Sequence, residues 1–300
     1  MSDTKLNINI PWQIILLFVL LLLLVQCARP RFVPDGYVII AARDSAIDKY
    51  THDHPEKTTI YQLDEAGAYM ITSVAYYPEK KLIAIAEMAK ESPRGTAVIK
   101  VLDEKTSSVV NEFITKKDRI YSMAIDREGR IAFEAGDREL CYLSIDEGIV
   151  HTIAEGAYFF SLAWSKDSKR IYFGFSPSSK QSSSDRIGYV ELAKPYDIKQ
   201  IAEGQSVSIS ESGKIAYLTN NGDIILMQKT ADTISKQLLK HRDPRFTYNI
   251  RFVKGTEDIV IAHARKVIIF DLIVLPLPYK KERVMLPYVG MKDFDAAYIK

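Results

Sequence analysis

The residues of this chain that could do chemistry are few and scattered. His52, Asp53 and His54 stand together, and two histidines at i and i+2 lie on one side of an extended chain. With Asp53 or Glu56, such a pair could ligate a transition metal. The surrounding Lys49, Glu56 and Lys57 also give this stretch the character of a solvated loop. His151, His241 and His263 stand singly and read as structural. Cys141 lies between Leu140 and Tyr142, where a free thiol is ordinarily a small buried apolar group. The sequence holds no Gly-x-Ser-x-Gly elbow, no phosphate-cradling glycine loop and no His-Glu-x-x-His helix. The candidate metal ligands are therefore His52, Asp53 and His54. No catalytic residue and no cofactor is predicted.

Composition narrows the partner classes. The 300 residues carry 40 Lys+Arg against 38 Asp+Glu, a formal net charge of +2. That balance gives no strong basic field, so nucleic acid is not an expected partner. A hydrophobic content of 47% is too high for a disordered chain. Two cysteines cannot build a disulfide scaffold.

The apolar residues are unevenly distributed. Residues 14–25 form an unbroken apolar run. At the per-residue values for a helix centre, such a run favours membrane insertion by roughly −4 to −7 kcal/mol. With its flanks it extends over residues 8–28, about the length that spans a bilayer at ~1.5 Å per residue. The run alone also suits the core of an export signal. Residues Leu24-Val25-Gln26-Cys27 resemble a bacterial lipobox, which would make Cys27 a lipidation site, although Gln26 replaces the usual small residue. A signal anchor, a lipoprotein signal and a cleaved signal peptide all fit the segment. Lys5 precedes it and Arg29 and Arg31 follow, so charge does not fix its orientation. A short tail before an apolar run is the build of an export signal. The body is therefore expected outside the cytoplasm, periplasmic or at the cell surface.

The rest of the chain repeats. An apolar strand, a tight polar turn and a second strand recur with second strands opening at Val38, Leu82, Ile131, Ile171, Ile215 and Ile259. The turns include Pro34-Asp35-Gly36, Asp126-Arg127-Glu128-Gly129 and Ser210-Glu211-Ser212-Gly213, built from residues that suit turn dihedrals. The second strands are almost continuously apolar, as strands covered on both faces must be. Third strands are expected at 58–63, 97–102, 139–144, 186–192, 223–228 and 266–272, with weaker fourth strands after most of them. Four strands in a period of about 44 residues predict an all-β protein, a six-bladed β-propeller of four-stranded antiparallel blades. The predicted division is a signal segment over residues 1–28, one N-terminal hydrophobic helix, and a single propeller over 29–300.

The ring needs closure. No strand fits before Val38, because that slot falls at the exit of the apolar segment. Residues 292–300 occupy a first-strand slot with no blade to follow. Residues 293–298 are therefore expected to pair with 38–42, completing blade one and covering a sheet edge.

Residues Ala163-Trp164-Ser165-Lys166-Asp167-Ser168-Lys169-Arg170-Ile171-Tyr172-Phe173 resemble the repeat of the TolB-like, WD-like propellers. Val33-Pro34-Asp35-Gly36 and Ser212-Gly213-Lys214-Ile215-Ala216-Tyr217 match parts of the same pattern. Lys166 stands where that family has Pro, and Ser168 where it has Gly. The resemblance spans roughly residues 30–300 and implies a protein-binding scaffold in most members and an enzyme in a minority. The expected function is a membrane-tethered, non-catalytic propeller that binds a partner protein or envelope component. The alternative is a metal-dependent lactonase or hydrolase with its site in the channel. Loops between second and third strands are expected to be long in units one (43–57), two (87–95) and four (176–185), where binding is often placed.

Overall fold

A computed structural model describes residues 31–91, 97–136, 138–177, 185–194, 196–229, 233–243, 247–266 and 269–299. The chain divides into two units, Met1–Arg31 and Phe32–Lys300. The apolar run, its expected helix and Cys27 lie outside the described residues.

The second unit is built entirely from four-stranded antiparallel sheets. Blade one begins with β1 (Tyr37–Ala42), β2 (Ala46–Thr51) and β3 (Thr58–Gln62). Blade two is β4 (Tyr69–Tyr77), β5 (Leu82–Ala89), β6 (Val98–Asp103) and β7 (Val109–Ile114). Blade three is β8 (Ile120–Ile125), β9 (Arg130–Ala135), β10 (Glu139–Ser144) and β11 (Val150–Glu155). Blade four is β12 (Tyr158–Trp164), β13 (Arg170–Ser176), β14 (Arg186–Glu191) and β15 (Lys199–Glu203). Blade five is β16 (Ser206–Ile209), β17 (Ile215–Leu218), β18 (Asp223–Lys229) and β19 (Ile234–His241). Blade six is β20 (Thr247–Phe252), β21 (Ile259–Lys266), β22 (Ile269–Leu275) and β23 (Arg283–Gly290). The last strand, β24 (Asp293–Tyr298), returns to blade one, whose order is β24-β1-β2-β3. Its register runs from Tyr37 opposite Tyr298 to Ala42 opposite Asp293, the closure expected from the sequence.

The core consists of six apolar layers, one between each pair of adjacent blades. Side chains alternate across a strand, so each second strand serves two layers. In β1, Ile39 and Ala41 pack toward blade six, while Val38, Ile40 and Ala42 pack toward blade two. That double burial is why these strands read as unbroken apolar runs.

In all six blades the turn that leads into the second strand places a residue at positive φ, namely Gly36, Lys81, Gly129, Ser168, Gly213 and Gly255. Gly36 is the most constrained: a Cβ there would lie 2.3 Å from Cε2 of Tyr298. In the third and fifth blades a side chain ties the turn to the following strand. Asp126 accepts the Arg130 N–H at 2.8 Å, and Ser210 accepts the Lys214 N–H at 3.1 Å.

Blade one departs from the expected strand assignment. The expected third strand, 58–63, is the outermost strand β3, and the third strand is β2, within the stretch read as a long loop. Asp48 and Lys49 hid it. Asp48 is nevertheless fully buried, held by the Arg43 guanidinium at 2.6 and 3.0 Å and by the Thr59 hydroxyl at 2.8 Å. Lys49 pairs with Glu104 of blade two. Charged residues enter a strand when their partners are built in, and those partners lie outside the local sequence.

Candidate functional site

In an up-and-down blade, the turns after strands one and three leave on one face and those after strands two and four on the other. His52, Asp53 and His54 follow β2, so they lie on the face of the first-to-second-strand turns, at its periphery. All three are exposed. The Thr51 N–H donates to the His54 carbonyl at 3.1 Å, so the segment turns rather than running extended. Nδ1 of His52 lies 3.0 Å from the Val33 carbonyl. Among the described residues, no group of three or more His, Cys, Asp or Glu side chains is placed to hold a metal ion. Cys141 is buried, and burial pushes its thiol up to about 11. His151 stacks on Tyr142, and His241 lies 2.7 Å from Asp223.

The channel between the inner strands is closed by hydrogen bonds that pass from blade to blade. Asp293 of blade one accepts the Ser73 hydroxyl of blade two at 2.6 Å. The Thr72 hydroxyl donates to the Ile120 carbonyl of blade three. Ser122 accepts the Leu162 N–H of blade four at 3.2 Å. Ser161 and Ser206 hydroxyls join blades four and five at 2.9 Å. Ser206 donates to the Asn249 carbonyl oxygen at 3.0 Å, and the Asn249 amide reaches Asp293 at 3.5 Å. This circuit visits every blade. Its carboxylate, Asp293, is buried, and desolvation holds its pKa above the usual range. One tier further along, Asp295 accepts the Tyr76 N–H at 2.8 Å and the Lys254 ammonium at 2.6 Å.

Arg251 spans the channel. It is 7% exposed, donates to the Leu162 carbonyl of blade four at 3.3 Å and stands 3.8 Å from Asp293 of blade one. Beyond it, on the turn face, opens a funnel of about 300 Å³. Leu162, Trp164, Ile209 and Phe252 line it together with Arg251 and Lys254. The Trp164 indole N–H donates to the Ala124 carbonyl at 3.0 Å, and the Arg130 guanidinium lies 4.9 Å from its ring.

The opposite face has a different character. Three consecutive inner strands carry an exposed tyrosine at or next to their first residue there: Tyr69 (41%), Tyr121 (49%) and Tyr158 (36%). Arg119 donates to the Tyr121 hydroxyl at 3.2 Å, and Arg138 lies 5.0 Å over the Tyr158 ring. Beneath Tyr121 lies Glu134, 4% exposed, which accepts the Tyr121 N–H at 3.2 Å. Burial raises its carboxyl to about 8. Sequence reading missed both faces. Tyrosine is common in strands on propensity alone, so these three carry no local signal, and Arg251 belongs to a site assembled from all six blades.

No protein-family model and no curated protein sequence matches this chain. Solved structures do share its fold. A structure of a nidogen/laminin complex contains a chain with TM-score 0.67 and 9% identity, the match covering 87% of this chain and 98% of that one. TolB from Acinetobacter baumannii matches with TM-score 0.62 and 16% identity, over 88% of this chain and 66% of TolB. At these identities the likeness establishes a TolB-like six-bladed propeller and no more.

Proposed function

We propose that this chain is a membrane-tethered propeller that binds a partner protein or envelope component without catalysing a reaction. The observation that carries this reading is the face bearing Tyr69, Tyr121 and Tyr158 beside Arg119 and Arg138. Tyrosine and arginine are the residues that most often dominate protein–protein binding energy, because each joins apolar area to a directional polar group. The three tyrosines are held at one end of adjacent inner strands, so little ordering cost remains for binding. The channel carboxylates Asp293 and Asp295 are committed to joining blades, which favours scaffold over catalysis. One of the similar folds comes from a structure of a protein–protein complex.

Residues 1–28 form the tether in this proposal, as a signal anchor or through lipidation of Cys27. Residues 29–300 form the single binding domain, outside the cytoplasm. Among the described residues no helix is long and apolar enough to cross a membrane, so the tether rests on the apolar run at 14–25.

Affinity capture from solubilised membranes tests the binding reading. Wild-type protein is compared with a Tyr69→Ser, Tyr121→Ser, Tyr158→Ser triple variant of unchanged thermal stability. The same partner should be recovered with the wild type and lost with the triple variant. Equal recovery with both would refute the assignment of this face.

A further inference from the structure

We propose that the funnel on the opposite face is a binding site for a small organic monocarboxylate. Arg251 would take the carboxylate and the apolar wall the remainder of the molecule.

The argument begins with where Arg251 stands. The pairing registers align Arg251, opposite Val260, with Ala75, Ala124, Ala163 and Ser208 in blades two, three, four and five, and with Asp295, which holds Lys254, in blade one. The first four are small. The space they leave is what lets one long side chain cross from blade six to the Leu162 carbonyl of blade four. A guanidinium carries five donors in a planar fork. Among the described residues one donor makes a hydrogen bond, at 3.3 Å, and the 3.8 Å approach to Asp293 is beyond hydrogen-bonding range. No Arg251 nitrogen is both buried and without a partner, so the unused donors are the part of the fork that reaches the funnel. A carboxylate entering the funnel would meet the fork in the bidentate geometry that suits it.

The backbone adds donors at the same depth. N–H groups of Asp126, Ser165 and Ser210 turn toward the second strands, donating to Arg130, Arg170 and Lys214. Direction alternates along a strand, so the N–H groups of Ile125, Trp164 and Ile209 turn toward the channel. At Tyr76 and Phe252 the equivalent N–H is met by Asp295 and by Ser208.

The charge balance selects a monoanion. Lys254 is already held by Asp295, and Arg130 by Asp126 at 2.7 and 2.9 Å. Arg127, Lys166, Glu79 and Glu211 also line the funnel, two charges of each sign. Arg251 faces Asp293 at 3.8 Å, whose pKa desolvation raises, so one positive charge is the most the funnel offers an anion, too little for a phosphate dianion. Trp164, Leu162, Ile209 and Phe252 supply an apolar wall, and about 300 Å³ lies at the small end of ligand pockets.

Trp164 makes the site directly observable. The chain has two tryptophans, Trp12 and Trp164, so the full-length Trp12→Phe protein reports from the funnel alone. Its emission is titrated with 3-phenylpropionate, and separately with the neutral 3-phenylpropionamide. A saturable change with the acid is expected, at least about tenfold weaker with the amide and with Arg251→Met. Ile209→Phe, which narrows the wall without touching the circuit between blades, should weaken binding by a similar factor. That variant and the amide decide the matter if Arg251→Met does not fold. The proposal is overturned if acid and amide titrate alike, if Ile209→Phe binds as the wild type does, or if the acid produces no saturable change up to its solubility limit.

Discussion

Two buried acids show how single residues serve this ring. Asp293 accepts hydrogen bonds from blades two and six, at Ser73, Val74 and Asn249. Asp293→Ala strands several buried donors at once and should cost about 3 kcal/mol in urea unfolding. Glu134 has one described partner, the Tyr121 N–H, and burial lifts its carboxyl from 4.5 to about 8. Between those values the native state holds a proton that the unfolded chain releases, so stability is complete below about 4.5 and falls as pH rises toward 8. The slope should approach about −1.4 kcal/mol per pH unit. Urea midpoints at pH 5, 6, 7 and 8 should decline in the wild type and stay flatter in Glu134→Gln. Equal slopes would show that another group titrates. Neither acid stood out in the sequence, because burial depends on strands contributed by other blades. A partial signal was present. Ser206 to Ile250, Ser208 to Phe252 and Asn249 to Asp293 each join residues 44 positions apart, so the bonds between blades step by the repeat length.

At the scale of elements, the turns and the closing strand carry the architecture. Both were legible because their chemistry is local. Gly, Asp, Pro and Ser mark each turn, and the apolar second strands follow at a near-constant step. Strand β2 was not legible, since Asp48 and Lys49 are satisfied by Arg43, Thr59 and Glu104. Positive φ alone should make alanine cost about 1 kcal/mol at Gly213, where nothing lies within 4 Å of the added Cβ. Gly36→Ala should cost clearly more, because the added atom also meets the Tyr298 ring at 2.3 Å. Thermal unfolding of the two variants separates backbone strain from packing, and equal losses would contradict the seating of β24 against the Gly36 turn. Deleting residues 292–300 removes the inner strand of blade one with Asp293 and Asp295. Cooperative unfolding should then be lost, or its midpoint lowered by well over 10 °C, roughly the effect of several kcal/mol in a domain of this size.

For the whole molecule, the account divides labour between two faces and a tether. One face presents Tyr69, Tyr121 and Tyr158, and the other opens the funnel at Arg251. In the proposed function the apolar run at 14–25 supplies the membrane association. Removing residues 1–28 should therefore move the protein from the membrane to the soluble fraction. Cys27→Ala should abolish incorporation of labelled palmitate if the tether is lipid, and leave membrane association intact if it is a helix. The central claim is that the tyrosine face is the partner-binding surface. Site-specific photo-cross-linking in intact cells tests it most directly, with a benzophenone amino acid placed at Tyr121 and, for comparison, at Lys166 on the funnel rim. The account predicts one discrete higher-mass adduct from position 121 and none from 166. An adduct from position 166 alone, or from neither position, would contradict it.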